Sequence, residues 1–186
     1  MRSTTVYVVD AAEFDCHRKR LKLRPCPHCR AVGFLICHGY LRGYGEHCSE
    51  KIQRGWRMFC SNRGRRSGCG RTYAVLISIR LYHRRVGAER LWKFLQAILG
   101  GASRQSAWEK VSAPFCMETG YKLWGSFIRN QSHLRSFLHR RAKPVALERI
   151  VVPALQLIAH LKAAFPGSSC PAASFQNTLQ QAFLVR

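Results

Sequence analysis

Acidic residues are scarce in this chain of 186 residues. It has nine Asp and Glu residues against 31 Lys and Arg residues, which gives a formal net charge of +22 at pH 7. Metal-dependent phosphoryl transfer requires carboxylates that converge on two metal ions, and none of the nine acids has the strand setting in which such a set forms. The scarcity of acids therefore argues against this class of enzyme, while the excess of cations predicts a polyanionic partner.

Long apolar runs and phosphate-binding loops are also missing. The longest apolar candidate, residues 150–165, is interrupted by Pro153, Gln156, His160 and Lys162, which makes it unsuited to crossing a bilayer. The chain contains no G-x-x-x-x-G-K-S/T loop and no His-x-His pair, and its N-terminus lacks the apolar segment of a secretory signal. These absences predict a non-enzymatic, cytoplasmic protein with no membrane partner.

The cysteines predict a metal site. Their odd number, nine, indicates a reducing compartment rather than a disulfide framework. Four of them form two pairs: two residues separate Cys26 from Cys29, and eight residues separate Cys60 from Cys69. Four thiolates complete the tetrahedral coordination of Zn²⁺ and leave no open position, as in structural zinc sites. We therefore predict one structural Zn²⁺ bound by these four cysteines.

The wide spacing of the second pair leaves other ligand sets open. Cys37, His38, His47 and Cys48 lie between the two pairs in the sequence and are alternative ligands. His28 lies inside the first pair, and we expect it to be a bystander because its neighbours already fill the site. The remaining alternative is that the cysteines bind no metal and pack as small apolar side chains.

Hydrophobic patterning predicts an α+β fold with a change of class near residue 80. Short apolar or alternating runs at 33–36, 55–59 and 71–77 predict strands, so residues 1–80 are expected to form an N-terminal strand and a small zinc β-ribbon. Helical periodicity then begins, and residues 86–140 predict an all-α, helix-turn-helix-like bundle. Residues 145–186 predict C-terminal helices that pack on this bundle.

The helical region resembles a helix-turn-helix DNA-binding domain. We predict a helix over 86–99, a second helix capped by Ser103, and a third helix over 117–138. The apolar stripe expected on the third helix consists of Tyr121, Trp124, Phe127 and Ile128. The third helix would then enter the major groove and contact DNA through Thr119, Lys122, Ser126 and Arg129. The alternative is a generic helical bundle whose charged face is merely hydrated.

The arginines of the first region predict a second nucleic-acid contact. Guanidinium groups suit phosphate oxygens, and the residues expected to supply them are Arg57, Arg63, Arg65, Arg66 and Arg71. Three of these five arginines lie in the polar stretch between Cys60 and Cys69. We therefore expect this stretch to form a solvated loop that binds the DNA backbone.

A family resemblance follows from the cysteine motifs. The segments Cys26-Pro27-His28-Cys29, Arg57-Met58-Phe59-Cys60 and Cys69-Gly70-Arg71-Thr72-Tyr73 resemble the zinc β-ribbon of bacterial insertion-sequence transposases. In that family a helix-turn-helix often follows the ribbon, and the pair binds transposon DNA ends. The resemblance covers roughly residues 20–135. The chain departs from the family in its expanded second cysteine pair and in its lack of the catalytic domain.

The resulting functional prediction is a zinc-stabilised, non-enzymatic DNA-binding protein. The resemblance implies that it is transposase-derived or transposition-associated, with double-stranded DNA as its partner and a nucleoid location. The protein partners that we consider are a second copy of the chain, in a homodimer, and a transposase. Two alternatives stay open: an RNA-binding or ribosome-associated zinc-ribbon protein, and the DNA-binding subunit of a nuclease or transposase whose catalytic part is another chain.

Overall fold

The computed structural model describes residues 5–47, 50–144 and 152–185. It confirms the α+β class, since these residues form a four-stranded sheet and seven α-helices. The chain divides into two compact units, Met1–Arg80 and Leu81–Arg186. Across the described ranges, no helix combines the length and apolar character that crossing a membrane requires.

The first unit contains the whole sheet. Its elements are β1 (Thr5–Val8), α1 (Ala11–Lys19), a short 3-10 turn (Leu21–Leu23), β2 (Leu35–Tyr44), β3 (Lys51–Cys60) and β4 (Thr72–Ile77). The strand order is β1-β4-β3-β2. Strands β2, β3 and β4 form an antiparallel meander, and β1 adds to β4 in parallel. An N-terminal strand was expected in this region, and β1 places it at the edge of the sheet beside β4.

A small apolar core lies on one face of this sheet. Trp56 and Met58 of β3 are buried there with Val75 of β4. Helix α1 covers them, with the Phe14 ring stacked 3.6 Å from the Trp56 ring, measured between centroids. Helix α1 was not predicted from the sequence because it is only weakly amphipathic and buries only Phe14 and His17.

The second unit is entirely helical. Its helices are α2 (Ala88–Leu99), α3 (Arg104–Glu109), α4 (Met117–Arg129), α5 (Gln131–Leu138), α6 (Pro153–Ala164) and α7 (Pro171–Leu179). As expected, Ser103 caps α3, because its hydroxyl accepts a hydrogen bond from the Ser106 N–H at 3.1 Å. Helices α6 and α7 pack against α2, and α6 also packs against α5. The start of the predicted C-terminal region, residues 145–151, lies outside the described residues.

The prediction of one long third helix is wrong. Residues 117–138 form two helices that meet at Asn130. The Asn130 side chain explains the break. Its amide nitrogen donates to the Ser126 carbonyl at 2.8 Å and to the Val185 carbonyl at 3.1 Å, and its oxygen accepts the Val185 N–H at 2.9 Å. A partner 55 residues away in the sequence thus fixes the junction, which helical periodicity cannot reveal.

The predicted apolar stripe of the third helix is wrong at two positions. Tyr121 is 45% exposed and Ile128 is 38% exposed, whereas Leu123 and Phe127 are buried. The buried face is rotated because Gly120 lies against the Trp108 ring. A Cβ atom at position 120 would lie only 2.5 Å from Cγ of that ring. A glycine, rather than the aromatic residues of the helix, therefore marks a close approach between α4 and α3.

Candidate metal centre and basic surfaces

The four cysteines predicted as ligands lie together in the first unit. Their sulfur atoms are all within 4.8 Å of one another, so one metal ion can reach all four. The sulfur–sulfur distance is 3.8 Å for Cys26 and Cys69 and 3.8 Å for Cys29 and Cys60. Both distances greatly exceed the length of a disulfide bond, about 2.05 Å. All eight cysteines that the structure describes are free thiols.

The first cysteine pair is held in a tight backbone turn. The Cys26 N–H donates to the Ala31 carbonyl at 2.9 Å, and the Arg30 N–H donates to the Cys26 carbonyl at 2.9 Å. Arg30 takes a left-handed conformation, with φ of 64°. The His28 N–H donates to the Cys26 sulfur at 3.4 Å. These bonds turn both sulfur atoms of the pair toward the same point.

The second pair repeats this arrangement despite its longer spacing. The Cys60 N–H donates to the Arg71 carbonyl at 2.9 Å, and the Gly70 N–H donates to the Cys60 carbonyl at 2.9 Å. Gly70 has φ of 69°, close to that of Arg30. The Cys69 N–H donates to the Cys60 sulfur at 3.3 Å. This bond corresponds to the one that the His28 N–H makes to Cys26 in the first pair. The two pairs are therefore equivalent halves of one site.

The extra residues of the second pair form a loop, residues 61–68, that leaves and returns at one place. The Gly68 N–H donates to the Ser61 carbonyl at 3.1 Å and closes the loop at its base. Position 68 requires glycine, because a Cβ atom there would lie 2.2 Å from the Ser61 oxygen. The closed base explains how eight intervening residues leave the ligand geometry intact.

The thiols of the cluster differ in acidity. A hydrogen bond from the Ala31 backbone lowers the pKa of Cys29 to about 7. Burial raises the pKa of Cys60 to about 12 and also raises the pKa of Cys69. Without a cation, the cluster therefore resists full ionisation at neutral pH. A bound metal ion reverses this tendency, because a coordinating thiol loses its proton.

The alternative ligands that the structure describes lie outside the cluster. Cys37 and His38 belong to β2, where the His38 ring lies 5.4 Å from the Phe59 ring. His47 faces Glu46, with 3.8 Å between its Nε2 and the carboxylate. Cys48 lies outside the described residues. His28 is adjacent to the site, and its Nε2 lies 3.2 Å from the Thr72 carbonyl oxygen.

The five arginines predicted to bind phosphate are all exposed in the first unit. They are Arg57, Arg63, Arg65, Arg66 and Arg71. Arg63, Arg65 and Arg66 lie in the 61–68 loop, and the Arg63 guanidinium lies over the Phe59 ring at 5.5 Å. Arg71 belongs to the backbone turn of the second cysteine pair. The second cysteine pair of the candidate metal site and four of the five arginines thus share one short stretch of backbone, residues 60–71.

The predicted contact face of the third helix needs one correction. Ser126 is 1% exposed, and its hydroxyl accepts a hydrogen bond from Nη2 of Arg84 at 3.3 Å. It therefore cannot reach a nucleic acid on the surface. Lys122 and Arg129 are exposed as expected, and Thr119 is half-buried. Lys122 forms an ion pair with Glu118 at 2.7 Å, which raises the pKa of the lysine.

The exposed face of α4 includes residues that the sequence analysis assigned to the core. Tyr121 and Ile128, which were expected in the apolar stripe, lie on it with Lys122, Arg129 and the partly exposed Gly125. The Arg104 guanidinium of α3 lies 5.8 Å from the centre of the Tyr121 ring. A predicted apolar stripe centred on Leu123 rather than on Trp124 would have assigned Tyr121 and Ile128 to the exposed face of the helix. We refer to these five α4 residues as the α4 face.

Comparison with protein-family profiles, curated proteins and solved structures finds no match for this chain. The resemblance to transposase ribbons accordingly rests on the cysteine motifs alone.

Proposed function

We propose that the protein is a zinc-stabilised, non-enzymatic DNA-binding protein. One observation carries the proposal: a four-cysteine site whose second half carries an exposed loop of three arginines, in a chain of net charge +22. The metal site fixes the base of the loop, and the loop supplies cations for DNA phosphates. An origin in, or association with, transposition is part of this proposal and is supported by the motif resemblance.

The sulfur spacing supports zinc as the metal. A tetrahedron with Zn–S bonds of about 2.3 Å has sulfur–sulfur edges of about 3.8 Å. The Cys26–Cys69 and Cys29–Cys60 distances are both 3.8 Å. Four thiolate ligands leave no coordination position for water or substrate, so the metal would act in folding rather than in catalysis. A four-thiolate tetrahedral site also accepts iron, which metal analysis would distinguish.

The second unit supports duplex DNA over RNA. Helices α3 and α4 are consecutive, pack together and present the α4 face to solvent. This arrangement suits the two helices of a helix-turn-helix motif, with α4 in the major groove. Lys122 and Arg129 would contact base edges or phosphates, while Tyr121 and Ile128 would pack against the thymine methyl or the sugar. A zinc ribbon that binds RNA has no need for such a helical face.

Binding of zinc-loaded protein to duplex DNA and to RNA tests the proposal. We expect tighter binding to a 30-base-pair duplex than to an RNA hairpin, with log K falling by about 0.9 per log unit of salt for each neutralised phosphate. Elemental analysis should give one zinc per chain. Preference for RNA would favour the ribosome-associated alternative. Duplex binding that requires a second, catalytic chain would favour the subunit alternative.

A further inference from the structure

The β2–β3 hairpin extends beyond the rest of the sheet. Strand β4 pairs with β3 over residues 55–59, whereas β2 and β3 remain paired as far as Tyr44 and Lys51. A shift in register between Leu41 and Arg42 leaves an extra residue, Arg54, in β3. Such a bulge increases the local twist of a strand pair. Beyond it, the described residues form a two-stranded ribbon.

One face of the β2–β3 hairpin alternates tyrosine and cations, from Tyr40, which pairs with Trp56 just before the bulge, to Tyr44 at the end of the ribbon. Tyr40, Arg42 and Tyr44 are two residues apart, so they share a face of β2. Gln53 pairs with Arg42 and Lys51 pairs with Tyr44, which adds them to the same face. Tyr40 is 62% exposed and Tyr44 is 47% exposed. The two rings therefore present broad aromatic surfaces to solvent.

The opposite face of the ribbon packs on itself. It contains Gly43 and Gly45, which allow the larger side chains of β3 to lie against the backbone. A Cβ atom at position 43 would lie 2.7 Å from Cδ of Arg54, and one at position 45 would lie 3.2 Å from Cδ1 of Ile52. The apolar and aliphatic groups of that face are thus covered within the hairpin.

The charges of the tyrosine face select an anionic partner. Arg42 lies between the two tyrosines, and the Lys51 ammonium lies 6.0 Å from the centre of the Tyr44 ring. Two acids, Glu46 and Glu50, lie at the turn end of the hairpin. Glu50 lies outside β3, and the Glu46 carboxylate lies 3.8 Å from Nε2 of His47. The charged side chains assigned to the tyrosine face, Arg42 and Lys51, are both cationic.

We propose that this face is a binding site for unpaired nucleic-acid bases, with Tyr40 and Tyr44 as stacking platforms and Arg42 and Lys51 as phosphate contacts. Single-stranded nucleic acids bind to aromatic side chains through base stacking and to nearby cations through the backbone. Bases inside an intact duplex offer no free ring face, so the occupant is single-stranded or locally unpaired DNA. The site adds to the duplex contacts of the proposed function and uses different residues.

Binding of a fluorescent 12-nucleotide oligothymidine and of a 30-base-pair duplex to zinc-loaded protein tests the inference. The variants are Y40L/Y44L, which removes both rings, Y40F/Y44F, which keeps them, and R20Q, which removes one exposed cation elsewhere in the same unit. We expect Y40L/Y44L to bind the oligothymidine at least about tenfold more weakly, since each stacked base contributes about 1–3 kcal/mol. The other two variants and all duplex affinities should change less than about twofold.

Photo-crosslinking with 5-bromouracil in the oligonucleotide provides a direct second measurement, and we expect the crosslinks to map to Tyr40 or Tyr44. The inference is overturned if wild-type protein does not bind the oligothymidine, if Y40L/Y44L binds it as tightly as wild type, or if the crosslinks map elsewhere. Oligothymidine binding that depends on the two rings, without any duplex binding, would support this site and refute the proposed duplex function. The two ideas can therefore fail separately.

Discussion

The two units of the molecule differ in how much apolar core supports them. Among the described residues, the buried cluster of the helical unit has 26 members, whereas that of the sheet unit has ten, including the candidate ligands Cys26 and Cys60. The smaller the buried core, the less apolar burial contributes to the stability of a unit. From this difference we expect the helical unit to fold through its own packing and the sheet unit to depend on a metal ion bound by its four cysteines.

The substitution Cys29→Ser tests this difference most severely. We expect it to abolish metal binding and unfold the sheet unit while the helices persist, because structural zinc contributes roughly 10–16 kcal/mol to such modules. Cys29 is exposed, so the change removes almost no packing. Hydrogen exchange measured separately for residues 5–80 and 81–185 would report the effect.

Cys37→Ser is the matched control, because Cys37 is exposed on β2 and lies outside the cluster. It should leave both units protected. A Cys29→Ser protein whose sheet retains full protection would show that the core around Trp56 suffices, and would remove the contrast between the units.

Substitution of the loop arginines tests whether the sheet unit contributes charge to DNA binding rather than sequence selectivity. Changing Arg63, Arg65 and Arg66 together to Ala should weaken binding to all duplexes about equally and reduce the salt slope by about 2.7, or about 0.9 for each lost phosphate contact. Titrations at several salt concentrations with two unrelated duplexes would measure this. A change in sequence preference would instead assign selectivity to the loop.

Arg129→Ala tests the corresponding role of the helical unit. We expect a loss of about 1–3 kcal/mol on the preferred duplex and relaxed discrimination at one base pair, because the guanidinium of Arg129 lies on a rigid helix. Selection from a random duplex library, followed by affinity measurements, would show it. Arg135→Ala, a change on α5, is the control and should preserve the preference. An equal loss of affinity for every duplex would show that Arg129 contacts phosphates and does not recognise a base pair.

Gly120→Ala should destabilise the helical unit alone. The added methyl group would lie 2.5 Å from the Trp108 ring, and overpacking of this kind costs about 1–3 kcal/mol. Gly125→Ala lies in the same helix, and its Cβ atom would meet only an Arg129 nitrogen at 3.4 Å. It should leave stability unchanged or raise it by up to about 1 kcal/mol. Chemical denaturation followed by tryptophan fluorescence would compare the two, and equal effects would contradict the close packing at Gly120.

A feature of this fold was predictable from the sequence when neighbouring residues determine it, and unpredictable when it depends on residues far away in the chain. The four cysteines and the capping role of Ser103 were predictable, because short motifs encode them. The break at Asn130 and the burial of Ser126 were not, because they depend on Val185 and Arg84, which are distant in the sequence. Helix α1 could not be predicted, because two buried side chains in nine residues do not produce a clear helical periodicity.

The closed base of the 61–68 loop has a consequence for protein engineering. Since the Ser61–Gly68 hydrogen bond joins the two ends, the residues between them can be replaced or lengthened without moving Cys60 or Cys69. The entropic cost of such an insertion is small, about 0.6 kcal/mol for each doubling of loop length. A peptide epitope or a fluorophore-binding sequence inserted between residues 63 and 66 would therefore be displayed on a metal-anchored stem. The same tolerance would let related chains vary the length and charge of this loop freely while retaining the metal site.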